Sequence, residues 1–144
     1  MALYEDPRVA AALAIGPGSP ARERTVDITT IGRRSGTPHR IETWFYRADG
    51  VVYLSGMPGR RGWAANLRAH PEFTFHLKHG VEADLPARAA EVTDEGERRR
   101  VIADFAVDLN QPHNPARLGQ TIDLDDWVAG SPLFAVRFDP VEAD

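Results

Sequence analysis

The chain contains no cysteine. Disulfide scaffolds, thiolate zinc centres, iron–sulfur clusters and cysteine nucleophiles are excluded together. Long hydrophobic runs are also missing: the apolar stretch at residues 9–15 is too short to cross a bilayer. It follows Glu5 and Asp6 rather than a basic leader, so it makes a poor export signal, and the expected location is cytoplasmic. Nor is there a surplus of positive charge. The net charge is −4 over 144 residues, which argues against nucleic acid as a partner. Neither Gly-x-Ser-x-Gly nor Gly-Lys-Ser/Thr occurs, so a hydrolase elbow and a Walker-type loop have no support. What remains is a globular mixture, 42% hydrophobic and 26% charged, sufficient for one domain with a real core.

Within this acidic chain, arginine is locally abundant at Arg33, Arg34, Arg40, Arg47, Arg60, Arg61 and Arg68. That pattern suits a small anionic ligand better than a polyanion. The most telling segment is Thr29-Thr30-Ile31-Gly32-Arg33-Arg34-Ser35-Gly36. Glycine lets backbone N–H groups converge where a side chain would block them, and arginine adds a planar fork of donors for phosphate or carboxylate. The segment reads as an anion cradle on a β-turn, or else as a solvated hairpin turn that is basic by chance.

Asp6 and Pro7 supply a helix cap and first position, and a short helix over residues 9–15 stops at Gly16-Pro17-Gly18. It is a lid or an extra arm, marginal alone. Strands follow at residues 24–31, 40–46 and 51–55, the last two joined by the hairpin signal Asp49-Gly50. The third is nearly all apolar and is expected to be buried on both faces. A glycine- and arginine-rich loop leads to a short helix at residues 63–69, ended by Pro71. Strands at residues 72–78 and 81–92 come next, the latter containing Pro86, which predicts an edge position or a bulge. Thr93 is expected to cap the one long helix. Residues 109–131 read as a long polar loop, and residues 133–138 as a sixth strand. Six mainly antiparallel strands with peripheral helices predict a small closed or partly open barrel.

Other clusters have plain readings. His70, His76 and His79 invite a metal, but strand spacing puts His76 and His79 on opposite faces, and a surface role is preferred. The acidic run from Asp123 to Asp126 fits turn capping better than cation binding. Arg98, Arg99 and Arg100 sit on the polar face of the long helix and are expected to be solvated. Trp63 and Leu67 are four apart, a spacing usual in a core, though Trp63 also suits a pocket wall.

The run Thr-Thr-x-Gly-Arg-Arg-Ser-Gly-x-Pro at residues 29–38 resembles the signature of the deazaflavin-dependent nitroreductase family, actinobacterial oxidoreductases of the flavin-reductase-like type. The likeness continues in order through residues 40–46, the Trp-x-x-Asn-Leu-x-x-x-Pro helix at residues 63–71, the Thr-Asp-Glu-Gly-Glu-Arg run at residues 93–98 and the closing segment at residues 136–140. It implies a mainly β (α+β) fold, a six-stranded antiparallel split β-barrel with short peripheral helices. Residues 1–23 would be an N-terminal helix and linker, and residues 24–144 the cofactor-binding barrel.

The same resemblance implies coenzyme F420, with its phosphate on the glycine–arginine turn. Arg33, Arg34, Ser35 and Gly36 would hold the phosphate. His39 falls where relatives have an arginine, and Arg40 follows one residue later; a one-residue step flips the face, so only one of the two points into the site. Where relatives carry a longer loop with a lysine, this chain has Gly56-Met57-Pro58-Gly59-Arg60-Arg61-Gly62, in which Arg60 or Arg61 replaces the charge. Ser55, Gly56, Met57 and Pro58 would lie near the deazaflavin, with Trp63 and Asn66 bordering the pocket. Relatives use a serine near this loop and late tyrosines for proton delivery. No tyrosine follows Tyr53 here, which leaves solvent or His113. The implied activity is hydride transfer from reduced F420 to an enone, quinone or nitro compound. The alternatives are an FMN enzyme on the same barrel and a non-catalytic carrier of a deazaflavin or tetrapyrrole. A homodimer is compatible with such barrels.

Overall fold

The computed structural model describes residues 3–112, 114–116 and 121–139. His113, expected as one possible proton donor, lies outside them. After a 3-10 turn at Leu3–Glu5, Asp6 caps helix α1 (Pro7–Leu13): its carboxylate accepts from the Arg8 N–H at 2.9 Å, and Pro7 occupies the first turn. The helix is not a detached arm. Val9, Leu13 and the following Ile15 are buried in the same cluster as the barrel interior. A one-turn helix, α2 (Ala21–Arg24), leads into the sheet.

Six strands close into a barrel: β1 (Thr25–Ile31), β2 (Pro38–Ala48), β3 (Val51–Ser55), β4 (Glu72–Leu77), β5 (Ala83–Glu91) and β6 (Leu133–Phe138), ordered β1-β2-β3-β6-β5-β4. All neighbours are antiparallel. The period-2 pattern decides what is inside. Val26, Ile28 and Thr30 of β1 are buried, as are Phe73, Phe75 and Leu77 of β4. Phe45 and Phe75 meet edge to face at 5.3 Å. Burying each such ring contributes about 2–3 kcal/mol. The β2–β3 turn has positive φ at both Asp49 and Gly50, as a two-residue hairpin requires.

Helix α3 (Gly62–Ala69) buries Ala64 and Leu67 in the barrel cluster. Helices α4 (Glu95–Leu109) and α5 (Leu124–Gly130) cover the outside of β2, β3 and β6, forming a second cluster in which Tyr46 stacks on Phe105 at 4.6 Å. Among the described residues no helix is long and apolar enough to cross a membrane.

Several expectations require correction. Pro86 is neither on an edge nor excused by one, because β5 pairs with both β4 and β6. The Pro86 carbonyl accepts from the Asp139 N–H at 2.9 Å, just past the last β6 residue. Its missing donor therefore falls where that ladder ends. The cap of α4 is Asp94, whose carboxylate accepts from the Glu97 N–H at 2.9 Å, not Thr93. The expected loop over residues 109–131 contains α5, capped by Asp123, with Trp127 and Val128 buried.

Candidate functional site

The turn between β1 and β2 is built from its glycines. The Gly32 N–H donates to the Thr37 carbonyl at 2.8 Å and the Gly36 N–H to the Gly32 carbonyl at 2.9 Å, while Gly36 takes φ +69°. A Cβ on Gly32 would stand 2.3 Å from Ser35 Oγ and 2.8 Å from His39 Nε2, so only glycine lets those side chains fold inward. They do: Ser35 Oγ lies 2.8 Å from Thr37 Oγ1, and both hydroxyls lie 3.4 Å from His39 Nε2. From α3, Asn66 pins this knot to the barrel. Its Oδ1 accepts from the Arg33 N–H at 3.0 Å, and its Nδ2 donates to the buried Thr30 hydroxyl at 3.1 Å.

The loop thus spends most of its amides on itself. The N–H groups of Gly32, Arg33, Gly36 and Thr37 all have acceptors inside the structure. Those of Arg34 and Ser35 have none among the described residues, and neither does either guanidinium of Arg33 and Arg34. Two exposed, unpaired arginines beside a hydroxyl cluster, on a protein of net charge −4, form a local positive site that a phosphate or carboxylate fits.

His39 and Arg40 lie on opposite faces of β2. His39 joins the hydroxyl knot, whereas Arg40 Nε donates to Asp27 Oδ2 at 3.0 Å. Lys78 Nζ also reaches Asp27, at 2.7 Å, and pairs with Glu42. Partial burial alone would raise the Asp27 carboxyl; the hydrogen bonds and charges of Lys78 and Arg40 outweigh it and hold the group below its ordinary value. Beside this network β2 runs on past the end of its pairing with β3. The β2–β3 ladder stops at Phe45↔Leu54, so residues 38–44 pair with β1 alone.

Ser55 ends β3 with its hydroxyl donating to the Pro132 carbonyl at 2.6 Å. Gly56 is half-buried, and Met57 and Pro58 are exposed. The loop is tied down by the Gly59 N–H on the Gly130 carbonyl, 3.1 Å, and by Arg61, which reaches the Met57 and Arg60 carbonyls at 3.0 Å each. Trp63 is half-buried and packs on Phe134 at 5.9 Å. Arg60 and Arg61 therefore gather with Arg68 and Arg98 around a different cavity from the loop that holds Arg33 and Arg34. A larger cavity, about 640 Å³, lies at the far end of the barrel between α1, α2 and the turn after β4. Its cations are engaged, Arg8 with Asp6 and Arg22 with His79, so size does not make it the anion site.

Two polar residues differ from their sequence reading, and a third had none. His76 is buried, not a surface residue: Nε2 lies 2.7 Å from Thr29 Oγ1 and Nδ1 2.6 Å from Asp84 Oδ1. Among the described residues no group of His, Asp or Glu could hold a metal. Arg98 is not solvated; it donates to the carbonyls of Val92, Trp127, Val128 and Ser131. Arg24, which the sequence did not single out, is 3% exposed and ion-paired to Asp108 at 2.7 Å. No local motif signals any of these, because each has at least one partner from a distant part of the chain: Thr29 for His76, Trp127, Val128 and Ser131 for Arg98, and Asp108 for Arg24.

A family model of F420H(2)-dependent quinone reductases matches residues 15–112. No curated protein matches the chain. Among solved structures, one similar fold is a candidate 5-nitroimidazole antibiotic resistance protein from Bacteroides thetaiotaomicron, with TM-score 0.59 and 10% identity over 96% of this chain and 82% of that one. Another is General Stress Protein 26 from Bacillus anthracis, with TM-score 0.54 and 14% identity over 95% and 91%. A conserved hypothetical protein from Mycobacterium tuberculosis gives TM-score 0.54 and 21% identity over 80% and 76%. At these identities the three speak for the fold alone.

Proposed function

The chain belongs to the F420H(2)-dependent quinone reductase family, and from that premise we propose that the loop at residues 32–39 holds the phosphate of coenzyme F420 beside a site where a quinone, or another activated acceptor such as an enone or nitro compound, is reduced. The protein is an F420H2-dependent oxidoreductase. The observation that carries the site assignment is the pair of unpaired guanidiniums, Arg33 and Arg34, over the Ser35–Thr37–His39 knot.

When bound, reduced F420 supplies a hydride as a two-electron donor. The residues of this chain supply position and charge. Arg33 and Arg34 neutralise the phosphate, and the free amides of Arg34 and Ser35 donate to its oxygens. Asn66 holds the loop at a fixed height over the barrel end. Arg40, tied to Asp27, braces β2 from outside. The unpaired edge of β2, with Gly56, Met57, Pro58 and Trp63, frames the site for the planar ring. Ser55 directs its proton to the Pro132 carbonyl, so its role in this reading is to anchor the strand end, and the product takes its proton from solvent.

The test is an equilibrium titration of F420 and FMN, in parallel, into the wild type and the Arg33→Ala/Arg34→Ala variant. Loss of two charge-assisted contacts is expected to weaken F420 binding by about 2–4 kcal/mol, roughly 30- to 1,000-fold. Unchanged affinity overturns the site; tighter binding of FMN than of F420 overturns the cofactor. Turnover of a quinone panel with the reduced cofactor then reads the acceptor class.

A further inference from the structure

On α3, Ala64 and Arg68 are four residues apart and share a face, whereas Asn66, two residues from each, points to the other. Asn66 holds the phosphate loop. The opposite face walls a cavity of about 470 Å³, closed by the strand-three loop, the end of β5 and the C-terminal end of α5. That volume suits a small molecule or a large part of one.

The charge lining this cavity is unbalanced. Arg60, Arg61, Arg68 and Arg98 face one carboxylate, Glu91. Glu91 is taken by Arg68 at 2.6 Å. Arg98 and Arg61 bond only carbonyl oxygens, which leave their positive charge uncancelled. Arg60 has no partner among the described residues. Burial is what lowers the Arg98 guanidinium; Glu91 opposes it, and Arg68 adds a smaller push in the same direction as burial. Ser131 also lines the cavity. Its hydroxyl is buried and, among the described residues, is the side-chain group of this kind without a hydrogen-bond partner.

We propose that this cavity is a second anion-binding site, distinct from the phosphate loop, which receives a carboxylate or phosphate group carried by the hydride acceptor. A bound oxyanion offsets the charge excess and gives Arg60 a partner; the adjacent Ser131 hydroxyl is a further donor once its side chain turns toward the anion. The site selects among acceptors: an acidic quinone or enone gains an anchor that a neutral one lacks. The ligand's identity as an acceptor rests on the reductase reading; the anion site itself does not.

Arg60 is exposed and supports no other contact, so Arg60→Glu tests the site without removing a structural bond. Inorganic phosphate is titrated into the protein and followed by amide chemical shifts. The wild type is expected to show two separate sets of shifts, around residues 32–36 and around residues 59–61 and 131. Arg60→Glu loses only the second, and Arg33→Ala/Arg34→Ala only the first. Absence of the second set in the wild type, or its persistence in Arg60→Glu, overturns the site. Kinetics with a carboxylated naphthoquinone and its methyl ester identify the bearer of the anion. Arg60→Glu is expected to lower kcat/KM for the acid, through KM, about tenfold or more relative to its effect on the ester. An equal loss on both, or weakened F420 binding in Arg60→Glu, overturns the acceptor assignment. If neither quinone turns over, the reductase reading fails, and the phosphate shifts still decide the anion site.

Discussion

A buried arginine is stable only if something cancels its charge, and for Arg24 that group comes from far along the chain. Its guanidinium, 3% exposed, donates to the Ser19 and Gly16 carbonyls and to Asp108, which lies 84 residues away in sequence. Asp108 also accepts from the Gly18 N–H and from Asn114, so one carboxylate fastens the N-terminal segment to α4. Asp108→Ala is expected to cost about 3–5 kcal/mol, because it strands a buried charge. Urea unfolding measures this directly. Arg24→Met together with Asp108→Leu, which removes both charges, is expected to recover much of the loss; no recovery would mean that the charge was not the cause. The same contrast explains what was legible. Arg33, Arg34 and Ser35 could be read because glycines adjacent in sequence set their geometry. Arg24, Arg98 and His76 could not, because their environments are assembled by pairings between distant segments. Local patterning says where a charge begins on a helix or strand; it does not say which carbonyls fold over it.

At the scale of elements, the strands were the readable part, since period-2 burial shows directly in sequences such as those of β1 and β4. The third strand met its expectation, with Val52, Tyr53 and Leu54 all buried. Helix α5 was hidden. It has only seven residues, its cap and two of its first three positions are acidic, and its contribution to the second cluster is Trp127 and Val128 with a partly buried Leu124. Arg98 compensates for that shortness. It gathers the carbonyls of Val128 and Ser131 at the end of the helix and adds a second donor to the Trp127 carbonyl, which already accepts from the Ser131 N–H. The Arg99–Asp125 pair adds a second, exposed link worth little by itself. Arg98→Lys keeps the charge and loses the planar fork, so it cannot reach all of these oxygens. The expected cost is about 2–3 kcal/mol. Hydrogen exchange is expected to show it as faster opening of α5 and of the loop joined to it at Gly59, with the barrel strands unchanged. Uniform loss of protection across the molecule would contradict this localisation.

For the whole molecule, charge sets a window of stability with a different cause at each end. On the acid side the outer face of β1 and β2 depends on Asp27, whose folded value lies below the ordinary 3.8. A carboxyl of this kind stabilises the fold above the unfolded value, and the contribution is lost as pH falls through 3.8 toward the folded value. On the alkaline side Lys78, raised from 10.5 by the same network, keeps its contribution until pH rises past that value. Tyr46 acts earlier. Burial under α4 and α5 pushes its phenol from 10.0 up to about 12, with Arg24 opposing, while Tyr53 is raised in the same direction. Above pH 10 the unfolded chain gives up this proton and the folded chain retains it, so ionisation favours unfolding between pH 10 and 12. The expected loss from Tyr46 is on the order of 1 kcal/mol by pH 11. Tyr46→Phe keeps the ring that stacks on Phe105 and removes the ionisable group. Its unfolding free energy, measured in urea at unit steps from pH 8 to pH 11, is therefore expected to decline less than that of the wild type from pH 10 onward. Parallel curves would show that the buried phenol does not set the alkaline limit and would shift the cause to Lys78 and Tyr53.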